Sequence, residues 1–299
     1  MIRPDYLSKG DKVALIAPAR KIEKKELINF TRIFKEFGFR IKEGRNLFAT
    51  HDQFAGTDSQ RFKDLQDAMD DPEIKAIFCV RGGYGTVRTV QDIDFTGFMK
   101  HPKWVAGFSD ISVLHNLLHL HNFESLHCMM PVNFNSDYSS GSSQSVFRAV
   151  TGNNLSYQLE NHPFNRVGET NGLLSGGNLS VLFSLRGTPL EVNYENKILF
   201  IEDVDEYLYH LDRMMMNLKI SGILRKISGL IVGGMTDFND NQVPYGKSPY
   251  EIIASSVEEY NYPVIFNFPA GHQKENMCLI MGREIKMEVN DSISSVFFT

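Results

Sequence analysis

Short apolar runs and amphipathic stretches alternate through the first half of the chain. Residues 12–17 form an apolar run closed by Pro18, which suits a buried strand. Residues 22–37 carry apolar positions at helical intervals until Gly38 stops them. Residues 39–43 predict a second strand. Residues 58–69 predict a helix capped by Thr57 or Asp58, with Phe62, Leu65 and Met69 on one face. A third strand is expected over residues 75–80, a helix over 86–93 and a fourth strand over 104–108. Ile111, Leu114, Leu117 and Leu118 then recur at helix intervals. Strands separated by helices predict a parallel sheet with helices on both faces.

The pattern changes at residues 135–171. Asn135-Ser136-Asp137-Tyr138-Ser139-Ser140-Gly141-Ser142-Ser143 is polar and turn-rich, and a short helical stretch leads to Thr151-Gly152-Asn153-Asn154. The expected organisation is an N-terminal domain over residues 1–150, a linker over 151–170 and a C-terminal domain over 171–299. The second half has shorter strand candidates at residues 198–201, 229–232 and 263–267, and further ones at 286–290 and 295–298. Helix patterns cover 179–185 and 208–218, and the run Met214-Met215-Met216 in the latter reads as core or interface filling.

Composition narrows the class of protein. With 299 residues, 42% hydrophobic and 22% charged, the chain resembles a globular enzyme of about two domains. A net charge of −5 argues against a nucleic-acid partner, which would need a basic face. The start, Met1-Ile2-Arg3-Pro4-Asp5-Tyr6, has no apolar signal core, and no run of about 18 apolar residues predicts a membrane span. Cys79, Cys128 and Cys278 are far apart and match no zinc spacing, which favours a reducing, cytoplasmic compartment. Cys79 sits inside an apolar run and reads as a core residue.

Chemistry concentrates where apolar runs end. Gly107-Phe108-Ser109-Asp110 breaks one run just before a helix. A serine at such a corner has its hydroxyl exposed beside the N–H groups of the opening helix turn, a geometry that serves a nucleophile. Ser109-Asp110 also suits a plain helix N-cap, and Ile111 stands where G-x-S-x-G has its second glycine. Arg81-Gly82-Gly83-Tyr84-Gly85 follows the third strand, at the carboxyl edge where ligands of open α/β sheets bind. It matches neither a phosphate-binding P-loop nor G-x-G-x-x-G. A second glycine loop, Ser175-Gly176-Gly177-Asn178, opens a helix, with Asn178 as its cap or a substrate donor. Ile201-Glu202-Asp203-Val204-Asp205-Glu206 puts Glu202 at a strand end, and Gly271-His272 lies in a turn, where the imidazole can serve as general base. His115 and His119 share a helix face without the glutamate of H-E-x-x-H, so no metal and no cofactor is expected.

In order, Gly10-Asp11-Lys12-Val13 with Ala17-Pro18, Arg81-Gly82-Gly83-Tyr84-Gly85, Gly107-Phe108-Ser109-Asp110 with Leu114-His115, Gly176-Gly177-Asn178-Leu179-Ser180, Ile201-Glu202-Asp203 and Gly271-His272 with Asn276 resemble the LD-carboxypeptidase family of serine peptidases. The resemblance runs from about residue 5 to about residue 290 and rests on six motifs in order. It implies an N-terminal Rossmann-like or flavodoxin-like parallel sheet and a smaller C-terminal α/β domain with a short-stranded sheet. It also implies a Ser109–His272–Glu202 triad drawn from both domains. An oxyanion hole would come from the backbone N–H groups of Asp110, Gly82 and Gly83, and Arg81, Tyr84 and Asn178 are candidate substrate contacts. The implied reaction releases terminal D-alanine from cytoplasmic murein tetrapeptides during peptidoglycan recycling, in a homodimer. Two departures from the family pattern stand out, His127-Cys128-Met129-Met130-Pro131 in place of His-Gly-Pro and Ala19-Arg20 in place of small hydroxyl residues.

The family also includes microcin C self-immunity proteins, which hydrolyse an acyl-linked nucleotide with the same catalytic residues. An aromatic stacking residue in a second-domain loop would favour that substrate, whereas the single tryptophan, Trp104, lies in a first-domain strand. A third reading is a non-catalytic α/β protein that grips a small metabolite with its glycine loops. It differs in expecting binding to survive Ser109→Ala.

Overall fold

The computed structural model describes residues 1–135 and 140–299, so the centre of the polar stretch 135–143 lies outside the described residues. The chain divides into two compact units, Met1–Asn154 with Met277–Ile280, and Leu155–Asn276 with Met281–Thr299.

In the first unit, β1 (Lys12–Ile16) leads through a 3-10 turn into α1 (Ile28–Glu36), followed by β2 (Arg40–Glu43), α2 (Asp58–Asp70), β3 (Ile74–Cys79), α3 (Thr96–Lys100), β4 (Trp104–Gly107), α4 (Ser112–Leu120), β5 (Ser125–His127) and α5 (Gly141–Thr151). Local chemistry sets these boundaries. The Thr57 hydroxyl accepts the Gln60 N–H at 3.3 Å while the Gln60 side chain accepts the Thr57 N–H at 2.9 Å, a reciprocal box that starts α2. α1 buries Phe30, Ile33 and Phe34, and Phe30 and Phe34 both pack on Phe78 of β3. Strand pairing is parallel in the spatial order β5-β4-β3-β1-β2. This is the flavodoxin-like order, in which the connections diverge from β1 and β3 and leave a crevice at their carboxyl ends.

The second unit contains β6 (Ser156–Glu160), β7 (Gly168–Asn178), α6 (Leu179–Ser184), β8 (Ile198–Val204), α7 (Leu208–Ile220), α8 (Ile223–Lys226), β9 (Gly229–Thr236), α9 (Pro249–Ser256) and β10 (Val264–Ile265). After β11 (Leu279–Met281), which joins the first sheet beside β5, come β12 (Glu284–Val289) and β13 (Ile293–Phe298). The second sheet runs β10-β9-β8-β7-β12-β13-β6, parallel as far as β7 and antiparallel beyond it. Met214 and Met215 are buried in its helix-side core with Leu211, Ile201 and Val232, while Met216 is partly exposed.

The α/β class, with a parallel sheet first and a second sheet after it, is as expected; several details differ. Residues 86–93 hold only a 3-10 turn, Thr86–Arg88, because β-branched residues crowd the segment and the Thr89 hydroxyl bonds back to the Thr86 carbonyl at 2.8 Å. Residues 151–170 contain β6 and the start of β7. The second sheet is not uniformly short-stranded, since β7 spans 11 residues. Its Gly- and Asn-rich sequence lacks apolar alternation, and the strand is held by ladders to β8 and β12 on its two sides.

Candidate active site

β4 ends at Gly107, and the backbone turns sharply at Ser109, where φ is +65°. That left-handed conformation is uncommon for a residue with a side chain, so the surrounding packing has to impose it. Residues Ser109–Ile111 then form one 3-10 turn that opens α4. Asp110 is buried, and its carboxylate accepts the Thr86 N–H at 2.8 Å, which ties the end of the glycine loop to the serine corner. Burial raises the Asp110 carboxyl above its usual range, against the Thr86 bonds that lower it. Gly82 approaches the serine closely. A Cβ there would lie 3.0 Å from Ser109 Cβ and 3.2 Å from its Oγ, so a side chain would crowd the hydroxyl. The N–H groups of Gly82 and Gly83 donate to no acceptor among the described residues.

Behind the corner, His115 on α4 bridges the Gly107 carbonyl through Nε2 at 3.0 Å and the Ser125 hydroxyl through Nδ1 at 2.8 Å. Burial, with His127 nearby, pushes this imidazole down to about 3 against the opposing Gly107 bond. It is therefore a neutral strut that fixes the last residue of β4. Among the described residues, no group of three or more His, Cys, Asp or Glu side chains is placed to hold a metal ion.

In the second unit, Glu202 lies on β8 and is fully buried. Its Oε2 accepts from the His272 side chain at Nδ1 (2.7 Å) and from the His272 backbone N–H (3.1 Å). An ionised carboxylate only accepts, so Nδ1 carries a proton, and in the neutral imidazole Nε2 keeps its lone pair. Burial lowers the His272 pKa, but the Glu202 bond and the charges of Glu202 and Asp203 outweigh it, and the net shift is upward. The turn bearing His272 is tightly held. Gly271 has φ +100°, and a Cβ there would lie 2.6 Å from the Glu202 side chain. Asn276 accepts the Gly271 N–H at 3.0 Å, and the Thr236 hydroxyl donates to the His272 carbonyl at 2.6 Å.

Asp203, beside Glu202, is buried as well. It accepts from Asn178 Nδ2, the Ser180 N–H and the Val204 N–H, each at 2.9 Å. Burial, with the Glu202 charge next to it, pushes its carboxyl up to about 7. Asn178 meanwhile caps α6, with Oδ1 accepting the Val181 N–H at 3.1 Å and the Ser180 hydroxyl at 3.0 Å. Both ends of the Asn178 side chain are thus engaged inside the fold.

The remaining candidates lie around the glycine loop. Arg81 is half-exposed and pairs with Glu26 at 3.1 Å, Tyr84 is exposed near Phe54, and Gly83 packs against the Arg20 side chain. Trp104 is fully buried and donates its indole N–H to the Asp5 carbonyl at 3.0 Å, so it is a core residue. Cys79 is also buried, and burial pushes its thiol well up, away from nucleophilic use. Sequence reasoning missed the roles of Thr236 and Asp203. An acid next to Glu202 in an apolar strand was a visible signal for Asp203; Thr236 offered none.

The model of the LD-carboxypeptidase N-terminal domain matches residues 13–128, and that of the LD-carboxypeptidase C-terminal domain matches residues 171–287. The "Probable murein peptide carboxypeptidase" of Bacillus subtilis (strain 168) is 33% identical, over 98% of this chain and 94% of the relative. The chain belongs to the LD-carboxypeptidase family. Among solved structures of related fold, a muramoyltetrapeptide carboxypeptidase from Oxalobacter formigenes superposes with a TM-score of 0.87 at 26% identity, covering 96% of this chain and 98% of that one. The microcin C7 self immunity protein MccF in its wild-type apo state gives a TM-score of 0.87 at 18% identity, covering 99% of this chain and 98% of that one, a likeness of fold alone. Membership of a peptidase family makes acyl transfer to water the relevant chemistry. Within the LD-carboxypeptidase fold seen here, no helix among the described residues is long and apolar enough to cross a membrane.

Proposed function

We propose that this family member is a serine carboxypeptidase that hydrolyses the L,D bond of murein tetrapeptides and releases terminal D-alanine. The observation that carries the reading is the bond between buried Glu202 and His272 Nδ1, which leaves Nε2 as the basic nitrogen. In this mechanism Nε2 takes the Ser109 proton as the hydroxyl attacks the scissile carbonyl. Glu202 holds the tautomer and stabilises the imidazolium, which then protonates the departing D-alanine amine. The N–H groups of Asp110, Gly82 and Gly83 receive the oxyanion. Water resolves the acyl-enzyme by the same proton path in reverse. The role belongs to peptidoglycan recycling in the cytoplasm, by a homodimer and without a metal or cofactor.

One observation favours a second substrate class. Tyr207, in the turn before α7, is 43% exposed and offers the kind of second-unit aromatic face on which a nucleobase stacks. Both readings use the same three residues. Incubation with a D-alanine-terminated tetrapeptide, followed by mass spectrometry, separates them, with Ser109→Ala as control. Loss of one alanine with the native protein alone supports the carboxypeptidase. An intact peptide, alongside cleavage of an aminoacyl nucleotide, supports the second reading.

A further inference from the structure

Glu202 sits at an irregularity. The β8–β9 ladder shifts register between Ile201 and Asp203, so the regular strand pattern does not by itself set how Glu202 leaves the backbone. The next residue is a second buried acid whose carboxylate collects three donors, from Asn178, Ser180 and Val204. Two of those donors lie at the junction where β7 gives way to α6, and Asn178 is also the ladder partner of Glu202. Burying a carboxylate is costly, and an apolar residue would suit this core better on stability grounds alone.

We propose that Asp203 is a positioning residue for the Glu202–His272 pair, its carboxylate pinning the irregular stretch of β8 to the start of α6 and thereby aiming Glu202. The inference rests on the reading of Glu202 and His272 as orienting carboxylate and base. Its physical basis is tolerance: Glu202 Oε2 serves two His272 donors, at 2.7 and 3.1 Å, and a small rotation of the strand breaks at least one of them. Glu202 and Asp203 are the two acids whose charges act on the imidazole, so removing either alters its basicity as well as its aim.

Asp203→Asn tests this, because its new amide confronts one of the three donors with another donor. Its kcat on the D-alanine-terminated tetrapeptide is expected to fall about 10- to 100-fold with KM within about twofold. The base inflection in kcat/KM is expected to move to lower pH, and the downfield NMR resonance of the His272 Nδ1 proton to weaken or shift. The exchange variant Asn178→Asp/Asp203→Asn restores a donor facing an acceptor between positions 178 and 203, though not at the Val204 N–H, and should recover part of the lost kcat. Native kcat in Asp203→Asn, or reduced kcat with the His272 resonance unmoved, overturns the proposal. Should Asp203→Asn not fold, Asn178→Ser removes the amide donor to Asp203 while keeping a hydroxyl oxygen to cap α6, and takes over the same readouts, with the same overturning outcomes. If the native protein leaves the tetrapeptide intact, the proposed function fails, whereas the His272 resonance still decides the role of Asp203.

Discussion

The Ser109 corner and the His272 turn hold their side chains by different physics. At Ser109 the backbone does the holding: a left-handed φ, the close approach of Gly82, and His115 braced on the Gly107 carbonyl. At His272 a charge does the holding, because buried Glu202 accepts both the ring and the backbone N–H of that residue. Under the proposed mechanism the difference follows from what each group has to supply. A serine hydroxyl needs aim, which sterics provide without any ionised partner. An imidazole needs aim, a tautomer and a pKa, and only a nearby buried carboxylate supplies all three.

The comparison breaks most visibly if the two regions do not act as one catalytic unit. Ser109→Ala and His272→Ala are each expected to lower kcat by about 10⁴–10⁶-fold, with the double variant no slower than either single one. Single-turnover assays measure this, and thermal melts should show the fold retained. Near-native turnover in either single variant, or strictly multiplicative losses in the double, would remove that residue from the proposed mechanism.

Next in size is Glu202→Gln, which tests the claim that charge does the holding at His272. An expected loss of about 10²–10⁴-fold reflects a lost tautomer preference and an unsupported imidazolium. The sign of the pH effect is defined. With His272 as the base, its upward shift predicts that kcat/KM of the native protein rises with pH above the ordinary imidazole range. Without the Glu202 charge, only the Asp203 charge opposes burial, and the rise should move to lower pH. A profile that keeps its position would make Glu202 a structural residue.

Two glycine substitutions sharpen the contrast between the regions. Gly82→Ala brings a methyl against the Ser109 hydroxyl and should cost about 10–10²-fold in kcat with little change in melting temperature. Gly271→Ala forces a side chain into φ +100° and against Glu202, so it should cost about 1–3 kcal/mol of stability as well as activity. Equal stability losses at the two positions would show that the corner and the turn are held in the same way.

What the sequence could convey follows the same division. The mainly apolar runs of β1, β3 and β4, spaced by helical stretches, announce the first sheet, because buried parallel strands have few alternatives. β7 was illegible, since a Gly- and Asn-rich segment becomes a strand only through its neighbours, and β5 and β11, at three residues each, are too short for a period to register. Ser109 stood out because an apolar run ended in Gly-Phe-Ser-Asp. Glu202 and His272 are 70 residues apart, and no spacing rule joins them; only the family resemblance paired them before the fold brought both to one hydrogen bond. Asn178, a polar residue after two glycines, reads as a helix cap or a substrate donor; its amide caps α6 and donates to Asp203.

The smallest expected effect concerns the first unit's own buried cation. Lys103, just before β4, is fully buried; its ammonium donates to the His101 carbonyl at 2.8 Å, and no carboxylate lies within ion-pairing distance among the described residues. Burial lowers its pKa to about 8, with Asp71 opposing and Lys75 adding to the shift. In the unfolded chain a lysine keeps its proton to about pH 10.4. Between about pH 8 and pH 10.4 the unfolded state therefore binds more protons, and the native protein gains stability as pH rises through that window. Lys103→Met removes the buried charge, so it should be more stable than the native protein by about 1 kcal/mol at pH 7. That advantage should shrink towards pH 10, while kcat stays within about twofold of native. Denaturant unfolding at both pH values measures the difference. A variant less stable than native at pH 7 would mean that the ammonium's bond to the His101 carbonyl outweighs its desolvation. The first unit would then depend on a buried charge much as the His272 turn does.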